Sequence, residues 1–86
     1  MESYKILIRK PAADELNRVP KRDLRRIIEH IRGLGSEPKP DGSEKLSAQE
    51  RYRLRQGDYR IVYSIDDAGC SVKIVKIGHR SEVYRR

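Results

Sequence analysis

The sequence predicts an α+β fold in which an N-terminal strand and an antiparallel helical hairpin pack on one face of a four-stranded antiparallel sheet, in the order β-α-α-β-β-β. Three observations predict it. Residues 4–9 follow the period of two of a strand, residues 11–32 carry apolar side chains at helical spacing, and the chain from Arg51 onward returns to short alternating runs separated by turn residues.

In the first run, Tyr4, Ile6 and Ile8 alternate with Lys5, Leu7 and Arg9, the period of a strand with one buried face. Pro11 suits the first turn of a helix, and Ala12, Leu16 and Val19 follow at helical spacing. Asp14 and Glu15 lie near the positive end of that helix's dipole. Val19-Pro20 breaks the pattern, and Leu24, Ile27, Ile28 and Ile31 then mark one face of a second helix that Gly33 or Gly35 ends. The combined apolar stripe of the two helices requires a sheet to cover it. Residues 35–50 (GSEPKPDGSEKLSAQE) read as an irregular surface connector with Leu46 as its apolar anchor. After it, RYRLR, YRIVYSI and CSVKIVKI, joined by the turns QGD and DDAG, form an antiparallel meander.

With 86 residues, the chain encloses one modest core, so residues 1–86 form a single domain. Twenty Lys plus Arg against 13 Asp plus Glu leave a net charge of +7, which selects an anionic partner. No segment approaches the roughly 20 apolar residues that span a bilayer, and the N-terminal segment has no signal-peptide core, so a cytoplasmic protein with no membrane partner is expected. A single cysteine, Cys70, excludes an internal disulfide or a cysteine-based metal cluster and reads as a small half-buried strand residue. No metal or other cofactor is expected.

Alternation sends Arg51, Arg53 and Arg55 to one side of their strand and Tyr52 and Leu54 to the other. Across the QGD turn, Arg60 alternates against Tyr59 and Ile61 and joins the same cluster in the expected hairpin register. Like charges stacked on neighbouring strands repel, so such a face gains from an external polyanion. The segment after the last strand adds other chemistry in Gly78-His79-Arg80-Ser81-Glu82-Val83-Tyr84. Imidazole exchanges a proton near neutral pH, which a guanidinium does not, and the tyrosine hydroxyl is a weaker donor. His30, beside Glu29 and Arg32 on the second helix, reads as a surface residue.

The stretch YRLRQGDYRIVY (residues 52–63), followed by IGHRSEVY (residues 77–84), resembles the RelE branch of the RelE/ParE toxin superfamily, and the element plan matches along essentially the whole chain. That resemblance implies the toxin of a type II toxin–antitoxin system, a metal-independent endoribonuclease that cleaves messenger RNA in the A site of the small ribosomal subunit. The ribose 2′-hydroxyl is the nucleophile, and the products are a 2′,3′-cyclic phosphate and a 5′-hydroxyl. It implies Arg60 as the charge-stabilising arginine, Arg80 as a second, and Tyr84 as a residue that orients or stacks the substrate base or moves a proton. Some family members carry lysine where this chain has Arg51 and Arg53. Arginine is a poor base, so the proton-accepting task is expected to fall to His79, with Tyr84 or Glu50 as alternatives. Lys45, Arg51, Arg53 and Arg55 are then expected to hold ribosomal or messenger phosphates. A cognate antitoxin is the implied protein partner, in a toxin–antitoxin hetero-oligomer. Two other readings stay open: a gyrase-poisoning toxin of the ParE kind and a basic RNA-binding module without catalysis.

Overall fold

The computed structural model describes residues 3–46 and 51–79. Strand β1 (Lys5–Ile8) leads into helices α1 (Lys10–Leu16) and α2 (Lys21–Gly33), followed by β2 (Ser43–Leu46), β3 (Arg51–Gln56), β4 (Tyr59–Asp66) and β5 (Ser71–His79). The strands form one sheet in the order β1-β5-β4-β3-β2. The α+β class and the helical hairpin agree with the sequence. The sheet departs from expectation in two ways. It has five strands, because Ser43–Leu46 of the expected connector pairs antiparallel with β3, and it is mixed, because β1 runs parallel to β5.

Each helix forms where its caps and apolar spacing direct. Pro11 occupies the first turn of α1, where a missing N–H costs nothing. Pro20 precedes α2 and its carbonyl accepts from Leu24 N at 2.8 Å. Ala12, Val19, Ile27, Ile31 and Leu34 from the helical segment meet Leu54, Ile61, Tyr63, Val72, Ile74 and Ile77 from the sheet in one core. Each fully buried large side chain contributes about 1.5–3 kcal/mol relative to exposure. Tyr4 and Ile6 pack against this core, whereas Leu7 and Ile8 are 42% and 43% exposed on the edge strand, so only part of the expected apolar face of β1 is buried. Ile28, at the margin of the α2 stripe, is likewise exposed.

Strand β5 carries a bulge. Val62 pairs with Lys76 and Tyr63 with Ile74, leaving Val75 as the extra residue. The bulge lets Val72, Ile74 and Ile77 all face the core, although the last two are three positions apart. It also exchanges the faces of every residue beyond it. The β3–β4 turn is a two-residue hairpin with positive φ (+58°) confined to Gly57, the arrangement of a II′ turn. Cys70 departs from the strand reading: it precedes β5 with φ at +51°, in the left-handed region. The long connector is fastened less by half-buried Leu46 than by the buried Tyr63, whose hydroxyl donates to Pro38 O at 2.7 Å. No helix among the described residues is long and apolar enough to cross a membrane.

Candidate nucleic-acid interface

The two faces of β3 and β4 follow from register. Tyr52 pairs with Tyr63, Leu54 with Ile61 and Gln56 with Tyr59, and this set faces the helices. Arg53 pairs with Val62 and Arg55 with Arg60, so Arg51, Arg53, Arg55 and Arg60 share the other face, as the alternation predicted. The basic face extends further than the sequence reading carried it. Lys76 pairs with Val62 and Lys73 with Ser64, which places both exposed lysines beside the arginines. The two lysines are three positions apart in β5, and they share a face because the bulge lies between them.

Arg60 is 5% exposed, and its Nη1 donates to Gly57 O and Tyr59 O, both at 3.0 Å. The guanidinium is therefore tied to the backbone of the hairpin turn, which fixes a charge that would otherwise swing on a flexible stem. Arg55, directly opposite, is exposed. Two like charges in register repel, and a carboxylate on β2 offsets part of that repulsion. Glu44 on β2 pairs with Arg53, and Arg53 Nη2 donates to Glu44 Oε1. That hydrogen bond, and then the charges of Arg53, Arg55 and Arg60, hold the Glu44 carboxyl below its usual range. Gly42, Glu44, Arg53 and Arg55 line a solvent-open depression of about 280 Å³. Glu44 was not singled out in the sequence, because no apolar alternation marks β2 as a strand.

The register places two of the expected site residues on the helix side of the sheet. Lys45 pairs with Tyr52, so its position falls on the helix side of the sheet and Glu44 takes the place on the arginine face. His79 pairs with Tyr59, and their rings meet edge to face with centroids 5.7 Å apart. With Glu15, Arg18, Val19 and Gly78 they line a small cavity of about 160 Å³ against α1. Arg60 pairs with Gly78 on the opposite face. Among the described residues, then, the structure sets His79 and Arg60 on opposite faces of the sheet, and the bulge at Val75 is the reason. Unbroken alternation would have put His79 on the side of Lys73 and the arginines.

The tyrosines interleaved with the arginines also face the helices. Tyr52 stacks on Tyr63 with centroids 5.8 Å apart, and Lys39 Nζ sits 5.5 Å from the centre of the Tyr52 ring. Burial raises the Tyr63 hydroxyl above the usual tyrosine range. These rings build the core and its rim, leaving the arginine face to work by charge. His30 is exposed on α2, as expected. Arg80, Tyr84 and Glu50 lie outside the described residues.

The family model of the ParE toxin of type II toxin–antitoxin systems matches residues 6–84. Toxin RelG of Mycobacterium tuberculosis is 32% identical over 85 residues, covering 96% of this chain and 98% of the relative. Toxin RelE of the same organism is 36% identical over 84 residues, covering 95% of this chain and 87% of the relative. The crystal structure of a RelBE toxin–antitoxin complex from M. tuberculosis superposes with a TM-score of 0.83 at 30% identity, over 94% of this chain and 95% of that one.

Proposed function

Starting from the fact that the chain belongs to the ParE toxin family of type II toxin–antitoxin systems and is a toxin of the RelE type within it, we propose that it is a ribosome-dependent endoribonuclease that cleaves messenger RNA in the A site. The observation that carries this reading is the set of four arginines from β3 and β4 on one face, with Arg60 anchored to the hairpin turn.

The reaction has three requirements. The 2′-hydroxyl must lose its proton as its oxygen bonds to phosphorus, the five-coordinate phosphorus must be stabilised, and the departing 5′-oxygen must gain a proton as its bond to phosphorus breaks. Products are a 2′,3′-cyclic phosphate and a 5′-hydroxyl end, and no metal is required. Arg60 stabilises the added charge, with donors fixed before the substrate arrives. Arg51, Arg53 and Arg55 hold neighbouring phosphates, with Arg53 exchanging Glu44 for a substrate oxygen. Arg80 is assigned a second charge-stabilising role by its motif. Tyr84, with Glu50 as alternative, is assigned the proton transfer that the position of His79 does not favour.

The proposed protein partner is an antitoxin of the RelB kind, as in the M. tuberculosis complex, and the proposed location is the cytoplasm. The +7 charge suits an acidic segment that folds on binding. The test incubates the purified protein with translating ribosomes and maps the 3′ ends of the messenger. The reading expects A-site cuts with cyclic-phosphate ends, slowed about 100-fold or more by Arg60→Ala. Absence of such ends from the unmodified protein overturns it. A second reading, inhibition of DNA gyrase, is favoured by the ParE description of the matching family alone. A supercoiling assay separates the two, with unimpeded gyrase expected here.

A further inference from the structure

Helix α2 (Lys21–Gly33) carries a second basic surface on the side of the molecule away from the arginine face. Its apolar residues Ile27 and Ile31 are 0% and 5% exposed against the sheet. At 100° per residue, Lys21, Arg22, Arg25, Arg26 and Arg32 fall within an arc of about 140° on the other side, interrupted by Glu29. All five cations are exposed, and none of their side chains makes a hydrogen bond or ion pair among the described residues. Glu29 stands three or four residues from Arg25, Arg26 and Arg32 and pairs with none of them. Like charges at these spacings repel along the helix, so the fold gains nothing from the pattern.

We propose that this arc is a second nucleic-acid surface that grips the sugar–phosphate backbone of double-helical RNA, separately from the strand bound on the arginine face. The arc itself holds no Phe, Tyr, Trp or His, the ring of His30 lying about 40° beyond its edge, which argues against a single strand, whose bases stack on rings. Duplex RNA is recognised by shape and backbone charge, which a helix face with five cations and one carboxylate supplies. A lipid surface is disfavoured because the apolar side of α2 is already spent in the core and cannot insert. A protein partner is disfavoured because the arc has no apolar or aromatic anchor at its centre, where interface cores are depleted in charge. From Lys21 to Arg32 the cations extend along about 16 Å of helix, enough to meet several phosphates. The inference rests on the reading of the chain as an RNA-directed toxin but not on cleavage itself.

The test uses the full chain and a triple variant, Arg22→Gln, Arg25→Gln and Arg26→Gln, which keeps good helix formers at exposed positions. Binding to a short RNA duplex and to a single-stranded oligonucleotide is titrated across salt concentrations, with circular dichroism confirming the fold. For the duplex, the slope of log K against log salt should fall by about two to three, since each lost phosphate contact removes about 0.9. Duplex affinity at low salt should drop about tenfold or more, while single-strand affinity stays within about twofold. An unchanged duplex slope overturns the proposal, as does equal loss for both probes. So does retained duplex binding with lost affinity for an acidic peptide, which would make the arc a protein interface. If the unmodified protein never cuts messenger yet the variant loses duplex binding, the enzymatic reading fails and this one stands. The reverse result, normal cleavage with an unchanged duplex slope, separates them the other way.

Discussion

The two faces of β3 and β4 come from the same short stretch of chain and differ in what they cost the fold. One face sends Leu54, Ile61 and Tyr63 into the core, where each is at most 3% exposed. The other sets Arg51, Arg53, Arg55 and Arg60 side by side, with Arg55 and Arg60 in direct register. The first face is what the fold needs. The second is held in place by the first and works against it through like-charge repulsion, offset by Glu44 and by the tethering of Arg60 to the turn. Stability and the proposed recognition are thus separated by the parity of a strand, and a substitution should disturb one or the other according to which parity it hits.

The largest effect expected from this division is on the core side. Ile61→Ala should lower unfolding free energy by about 2–5 kcal/mol through lost burial and a residual cavity. Arg55→Ala, one position away in register, should stay within about 0.5 kcal/mol in the same denaturant titration. Comparable losses for the two variants would break the comparison. A smaller effect is expected at Tyr63. Replacing it with Phe removes the hydroxyl that donates to Pro38 O and should cost about 1 kcal/mol. Because burial raises the Tyr63 hydroxyl, its stabilisation is complete below the ordinary tyrosine range and is lost as pH rises through the folded value. Alkaline unfolding should therefore be steeper in the unmodified protein than in Tyr63→Phe, as thermal melts at increasing pH would show.

The smallest effect concerns Glu44 on the other parity. Glu44→Gln removes a carboxylate bonded to Arg53 and should tighten binding of a single-stranded oligonucleotide about two- to fivefold at low salt. The lowered Glu44 carboxyl keeps its pairing with Arg53 above the ordinary carboxylate range and loses it as pH falls through the folded value. Acid should then tighten oligonucleotide binding in the unmodified protein and change it less in Glu44→Gln.

The sequence made the helices, the β3–β4 hairpin and the arginine parity legible because each rests on a local period. What it concealed depended on non-local pairing. Ser43–Leu46 (SEKL) has no apolar alternation, and it is a strand because β3 offers it a backbone to pair with. The parallel partnership of β1 with β5 joins residues at opposite ends of the chain, beyond the reach of any window. The position of Lys45 required the β2 register, and one residue decides between it and Glu44. The position of His79 turned on a single extra residue, Val75, whose bulge serves core packing and is marked in VKIVKI only by a three-residue spacing that breaks the period of two.

The most direct test of the claim that RNA chemistry belongs to the arginine face is a side-by-side measurement of messenger cleavage on translating ribosomes by the unmodified protein, Arg60→Ala and His79→Ala. The account predicts a fall of about 100-fold or more for Arg60→Ala and less than about fivefold for His79→Ala. Equal and large losses for both, or a loss confined to His79→Ala, would contradict it.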